Sequence, residues 1–353
     1  MEEKSSNMIP KYFLAANSYT GFVSYFDTFF NPQDFDRIFI LKGGPGTGKS
    51  SFMKRISTEF QQNECKIEEI YCSSDPHSLD GIIISKGNRR VAIIDGTAPH
   101  ERDAKIPGAI EEIINLGDGW DERFLTSRRD EIVMLSNEKA VSYKTAYFYL
   151  SIAGKSHELI SHFHGIEFNT IGAKIKAESI LKDIMPSSSD IQTKLVSSFG
   201  RYGTYTLSTL TDIAEKVIKI GGNAISSELF LNECYNVAIG RNIGFVRFPS
   251  ALDPRNTDAL YFPEVGLAII RCTDGEINAN DFIKLTEIDS ERMRIAEVLW
   301  SDALEEAKRW FAIASDVHFR LEKIYGEAMN FDKNNEILDK KIKQIENILE
   351  IHR

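Results

Sequence analysis

The chain is poor in cysteine. Its 353 residues include four, Cys65, Cys72, Cys234 and Cys272, and their spacing matches neither a metal-ligand pattern nor Cys-x-x-Cys. That excludes a disulfide framework as the basis of the fold, and the four read as reduced thiols of a cytosolic protein. Long apolar runs are missing too: no stretch approaches the ~18 residues of a membrane span. Met1 to Pro10 is polar, with no apolar core of a secretory signal, so the expected location is the cytoplasm. Low-complexity tracts are absent, and 42% hydrophobic with 27% charged residues is an ordinary globular balance. Positive charge is in deficit, 42 Lys and Arg against 52 Asp and Glu. The resulting net charge of −10 argues against nucleic acid or a membrane surface as the partner, though not against a local basic patch. The length favours two domains over one core.

What is present is a glycine-rich segment in a telling context. Residues 37–41, Arg-Ile-Phe-Ile-Leu, form a nearly continuous apolar run of the kind buried in parallel sheets. Gly43-Gly44-Pro45-Gly46-Thr47-Gly48-Lys49-Ser50 follows and fits G-x-x-x-x-G-K-[ST] without mismatch. A helical pattern then begins, with Phe52, Met53, Ile56 and Phe60 on one side. Glycines let backbone N–H groups turn inward around phosphates, and the helix N-terminus adds partial positive charge. In this pattern Lys49 reaches the β- and γ-phosphates, and Ser50, with Ser51 beside it, supplies a hydroxyl to Mg²⁺. Val91-Ala92-Ile93-Ile94-Asp95 reads as a second buried strand whose terminal Asp95 holds the metal through its water shell. The expected ligand is MgATP. The next residue is Gly96, where many P-loop ATPases carry a water-activating glutamate.

The chain also reads as written twice. Ile40, Gly43, Gly44, Phe52, Asp75, Pro76 and Asp80 recur 178 positions later (221 − 43) as Ile218, Gly221, Gly222, Phe230, Asp253, Pro254 and Asp258. Ala146, Ala153, His157 and Gly165 recur 161 positions later (307 − 146) as Ala307, Ala314, His318 and Gly326. The second copy has lost the phosphate chemistry: Lys49 maps to Ser227, Ser50 to Glu228 and Asp95 to Arg271. One working site is therefore expected, in the first half, with Glu228 and Arg271 paired where the metal would otherwise sit. Residues 121–164 and 171–184 read as helical, as do 287–325 and 331–351, and Met185-Pro186-Ser187-Ser188-Ser189 reads as the linker. The expected architecture is α/β: a three-layer P-loop NTPase core, tandemly duplicated, each half followed by a long helical hairpin. The boundaries are 1–187 for the active domain and 188–353 for the degenerate one. The helices would form a shared bundle or a lid, and could engage a protein partner.

Four segments together resemble a family of bacterial tandem P-loop ATPases, nucleotide-kinase-like, and the resemblance extends over nearly the whole chain. They are Gly43–Ser50, Cys72-Ser73-Ser74-Asp75-Pro76-His77-Ser78-Leu79-Asp80-Gly81, Asp95-Gly96-Thr97-Ala98-Pro99-His100 and Pro107-Gly108-Ala109. The resemblance implies an ATPase or kinase without indicating a substrate. Members often keep a P-loop in the second half, and this chain departs from that.

Asp75, after the strand-like Lys66–Tyr71, is a candidate to position a water or an acceptor hydroxyl; a plain Asp-Pro turn is the competing reading. His100 is a candidate phosphate sensor or general base, set against a solvated loop. An arginine finger has several possible sources: Arg89, Arg90, Arg102, Arg128, Arg129, Arg201 or Arg241. His157, His162 and His164 lack acidic or cysteine partners at ligand spacing. The expectation is an ATPase, with a small-molecule or nucleotide kinase and an ATP-dependent switch or scaffold as alternatives.

Overall fold

The computed structural model describes residues 8–63, 65–187 and 191–351. It is mixed α/β, with two six-stranded sheets. The first sheet runs β1 (Lys11–Phe13), β5 (Lys66–Tyr71), β6 (Leu79–Lys86), β7 (Arg89–Asp95), β4 (Arg37–Lys42), β8 (Glu111–Asn115). Only β6 opposes the direction of the other five. The second runs β10 (Gln192–Thr193), β14 (Val246–Pro249), β15 (Thr257–Phe262), β16 (Leu267–Arg271), β13 (Lys216–Gly221), β17 (Ile277–Asn278), with β15 reversed. Order and direction match position by position. Each sheet is accompanied by a small hairpin, β2 (Ala15–Ser18) with β3 (Gly21–Ser24), and β11 (Ser197–Gly200) with β12 (Gly203–Thr206).

Side-chain alternation explains the layering. Ile38, Ile40, Ile83, Ala92 and Ile94 point to one face of the first sheet. Phe39, Leu41, Ile82, Ile84, Val91 and Ile93 point to the other. The second face is covered by α2 (Lys49–Gln61) through Phe52, Met53, Ile56 and Phe60, and by α9 (Phe331–Ile348) through Leu338 and Ile345. The first face meets the other sheet, at Val246, Phe248, Ala259 and Ala268, with Phe26 and Phe30 from α1 (Phe26–Phe29) and the residue after it, and with Leu210 of α6 (Thr209–Ile213) beside them. The outer face of the second sheet carries α7 (Ala224–Gly240) and α5 (Thr170–Leu181). The order is therefore helices, sheet, sheet, helices. This corrects the expected three-layer core: each sheet has major helices on one face only, because its other apolar face is used up by the second sheet. The sheets also join at an edge, where Phe13 and Leu195 exchange two backbone hydrogen bonds of 2.8 and 2.9 Å.

The long helices do not form a hairpin within each half; they meet across the halves, as in the shared bundle that was also expected. After the short α3 (Glu122–Ser127), α4 (Arg129–His162) does not fold back on α5. It packs antiparallel against α8 (Ser290–Glu327), with Leu135 near Val317, Leu321 and Ile324, and Ala146 and Leu150 near Ala307 and Phe311. Ala146, Ala153, Ala307 and Ala314 are fully buried, and their small side chains let the two helices approach closely. β9 (His164–Phe168) and β18 (Ile283–Glu287) pair at one end of this seam. α5 and α9 each cover the sheet built by the other part of the chain. Of the segment read as a linker, Met185–Ser187 is irregular, and Ser188 and Ser189 lie outside the described residues. Among the described residues no helix is long and apolar enough to cross a membrane.

Leu338, 1% exposed, is a measure of this exchange. Leu338→Ala should cost about 2–5 kcal/mol, by lost transfer energy plus the cavity left in the first sheet's core. Urea denaturation checks it; a change under about 0.5 kcal/mol would mean that α9 is dispensable to that core.

Candidate functional site

The glycine-rich loop joins the end of β4 to the start of α2. β4 lies parallel to β7, with Leu41 opposite Asp95, so the loop and Asp95 emerge at the same sheet edge. Gly46 and Gly48 have φ of +71° and +85°, a region side-chain-bearing residues avoid. Their N–H groups have no acceptor among the described residues. Gly46 is needed for space as well: a Cβ there would lie 2.3 Å from the carbonyl oxygen of Glu322 on α8. The outer side of the loop is thus pressed against the end of α8 and the start of α9. Tyr325 and Trp120 flank Gly44, Phe331 flanks Gly48, and the buried Asn334 donates from Nδ2 to the Thr47 carbonyl at 2.9 Å.

The Lys49 ammonium curls back into the loop. It donates to the carbonyls of Gly43 and Gly44, each at 3.0 Å, and stands 3.6 Å from Asp95 Oδ2. Asp95 Oδ1 accepts from the Thr97 N–H at 2.8 Å and its hydroxyl at 2.6 Å. Burial pushes the Asp95 carboxyl upward; Lys49 and the Thr97 hydrogen bonds oppose that, and the neighbouring Asp80 adds to it. Lys49 and Asp95 thus form a partly desolvated ion pair at the sheet edge. Ser50 lies one residue on, and its Oγ accepts from the Leu79 N–H at 2.9 Å. The structure therefore brings Lys49 and Asp95 together, while the Ser50 hydroxyl is engaged by β6; Ser51, on the same turn, is exposed. Gly96 has a packing reason: a Cβ there would lie 2.3 Å from Ile40 Cγ2, so no glutamate fits at that position without displacing the core.

Asp75 and His100 fall differently. Asp75 Oδ1 accepts from the His77 N–H at 3.1 Å, and its carbonyl accepts from Ser78. Asp253 forms the same turn in the second part of the chain, accepting from Arg255 and Asn256. His100 is buried, against the solvated loop that was expected. Its ring stacks on Phe26 at 4.2 Å, and Nε2 meets Asp80 Oδ2 at 3.2 Å. Nδ1 is buried without a partner. The register Gly81↔Ile94 puts Asp80 across from Asp95, so His100 reaches the site through Asp80. Nothing in the sequence marked Asp80 as His100's partner, because β6 itself was not anticipated. The signal was there in Ile82-Ile83-Ile84, followed by the two-residue turn Gly87-Asn88.

Among the candidate arginines, Arg102 is buried on Glu111 at 2.6 Å, Arg89 pairs with Asp36 and Glu350, Arg128 pairs with Glu131, and Arg241 donates to carbonyls of residues 181–184. Arg90 covers the Phe35 ring, and Arg129 is exposed. Among the described residues no group of His, Cys, Asp and Glu is arranged to hold a metal, which includes His157, His162 and His164. Two clefts, one at Pro10 and Lys11 beside Thr209, the other between α4 and α8 at Arg128 and Lys323, are not lined by the loop. The loop is a half-exposed ledge at the sheet edge.

The matching place in the second sheet is closed. Asn280 Oδ1 accepts from the Asn223 N–H (3.1 Å), Asn223 Nδ2 (2.8 Å) and Ser226 Oγ (2.7 Å), filling the turn after β13 with the chain's own oxygen. The expected Glu228–Arg271 pair does not form. Arg271 instead meets Asp258 at 2.6 Å, and Glu228, desolvated and near Asp253 and Asp258, is pushed up to about 7. The salt bridge goes to Asp258 because that residue sits beside Arg271 on the adjacent strand β15, whereas Glu228 lies on α7.

Glu228 makes a pH prediction. Its folded pKa lies above the unfolded value of 4.5, so the folded chain holds the proton more tightly and stability falls as pH rises from about 4.5 to about 7. Glu228→Gln should remove that loss and raise Tm at pH 8 by about 2 °C or more, after discounting for its partial exposure. Thermal melts of both proteins at pH 5 and pH 8 check it; an equal effect at both pH values refutes it. No protein-family model, no curated protein and no solved structure matches the chain.

Proposed function

We propose that the chain binds MgATP at the loop Gly43–Ser51 and hydrolyses it, with one nucleotide site in the N-terminal half. The observation that carries this reading is the Lys49 ammonium, held by its own loop carbonyls at 3.0 Å and 3.6 Å from Asp95 at the ends of two parallel strands. Free backbone N–H groups, a lysine and a helix N-terminus converge on one point, which is what a triphosphate needs. Gly43, Gly44, Pro45, Gly46, Thr47 and Gly48 would line the phosphates. Lys49 would exchange its carbonyl partners for phosphate oxygens. Ser50 and Asp95 would hold Mg²⁺, which would neutralise charge on the transferring phosphoryl group. The second part of the chain would be a duplicated copy that has given up its own nucleotide site, as the plugged turn at Asn280 suggests.

A phosphotransferase is the second reading, favoured by one observation. The residue after Asp95 is a glycine whose Cβ direction is filled by Ile40, so the usual water-activating carboxylate is missing there. Asp80, held by His100, is then the nearest alternative base, and it would serve an acceptor hydroxyl as readily as water.

Phosphate release from MgATP without added acceptor separates the two. Hydrolysis predicts turnover that drops by about a hundredfold or more in Lys49→Ala, which loses a charge-assisted phosphate contact. Asp95→Asn should weaken the magnesium dependence of binding more than binding itself. ATP binding with no phosphate release would favour the transferase; no binding at all would overturn both.

A further inference from the structure

Two cations outside the glycine-rich loop come from opposite parts of the chain, one on α4 and one on the turn between β11 and β12. Lys139 lies on the inward stripe of α4, between the buried Leu135 and Ser142. One turn further on, Tyr143 bonds to Ser74 of the loop after β5. Lys139 forms neither an ion pair nor a hydrogen bond among the described residues. Burial together with the Lys49 charge holds its pKa below the ordinary lysine value, and Glu322 opposes that. Two ammonium groups that repel each other in a half-buried space have an evident use if an anion lies between them.

Arg201 occupies the turn between β11 and β12. That turn leans on the first part of the chain: a Cβ on Gly200 would lie 3.5 Å from the Ser73 carbonyl oxygen, and Tyr202 packs edge-on against His77. The Arg201 guanidinium rests over Phe319 of α8, one turn before Glu322, whose backbone abuts Gly46. Nη2 reaches the exposed Asp316 at 3.2 Å, while Nη1 is buried with no partner.

The other end of the molecule supplies an internal comparison. The turn between β2 and β3 presents Tyr19 where the β11–β12 turn presents Arg201. On α8, Trp300 stands 161 positions after Lys139 (300 − 139), the spacing that relates Ala146 to Ala307. Tyr19 and Trp300 are hydrogen-bonded to each other, Nε1 to Oη at 2.9 Å, near Arg271 and Asp253. So the positions are neutral aromatics where the glycine-rich turn is plugged by Asn280, and cations where it is open.

We propose that Lys139 and Arg201 close over the terminal phosphate of the nucleotide bound at Gly43–Ser51, Arg201 being delivered by the second part of the chain. The inference rests on the nucleotide-binding reading above. It gives the second part a role that needs no nucleotide of its own: it carries a phosphate-binding arginine to its neighbour's site in the same chain.

The test is Mg²⁺-dependent titration of the full chain with ATP and with ADP, for the wild type, Lys139→Gln and Arg201→Gln. Cations on the terminal phosphate predict a preference for ATP in the wild type. Each substitution should weaken ATP binding by about tenfold, the loss of one charge-assisted contact, and leave ADP within about twofold. A purely structural role would weaken both nucleotides together and lower Tm, and that result overturns the proposal, as does unchanged ATP affinity in both variants. If Arg201→Gln does not fold, Lys139→Gln decides alone. A wild type that binds neither nucleotide overturns the nucleotide reading itself, and is told apart by showing in the unsubstituted chain.

Discussion

The structure depends on one buried surface, the apolar layer where the two sheets meet. Each sheet leaves one face without major helices, and neither face can be left to water. Ile38, Ile40, Ile83, Ala92 and Ile94 on one side and Val246, Phe248, Ala259 and Ala268 on the other satisfy each other. A buried side chain of this size contributes about 1.5–3 kcal/mol, so the layer dominates any single polar contact between the sheets. Once it is formed, the edge bridge at Phe13 and Leu195 follows, and the two small hairpins are carried across to the opposite part of the molecule. The α4–α8 seam and the exchanged positions of α5 and α9 reinforce the same arrangement.

That packing sets the character of the candidate site. The glycine-rich loop receives support from β4 and α2, but its outer wall is α8 and α9. Gly46 lies so close to α8 that the loop conformation and the docking of the C-terminal helices are one structural event. A nucleotide bound there, as proposed, would therefore sense the state of the whole chain. At the matching turn of the second sheet, the Asn280 side-chain oxygen takes the hydrogen bonds of the turn itself.

Much of the local structure was legible in the residues. The runs 37–41 and 91–95 became β4 and β7, and Phe52, Met53, Ile56 and Phe60 form the buried stripe of α2, because period and polarity are local properties. Lys49 and Asp95 lie within 3.6 Å of each other, since strand, loop and helix are contiguous and the partner strand is adjacent. The recurring glycines and alanines anticipated the matching order of the two sheets. What escaped was relational. The third layer assumed around each sheet is replaced by the other sheet. Of the two arrangements expected for the long helices, the hairpin within each half is absent and the shared bundle is formed by α4 with α8. Glu228 loses Arg271 to Asp258, which the antiparallel β15–β16 register brings closer. His100, read as solvated, is enclosed by Phe22 and Phe26 from residues some 75 positions earlier (100 − 26 gives 74).

By itself, then, the sequence determined most of the elements and the glycine loop that leads into Lys49, because these follow from side-chain period, backbone freedom and short spacing. Only the tertiary structure decided which faces meet, which helix covers which sheet, and that the turn carrying Arg201 leans on the loop after β5. Those outcomes depend on burying apolar area between segments more than a hundred residues apart, and no local pattern encodes which of several apolar faces will find each other.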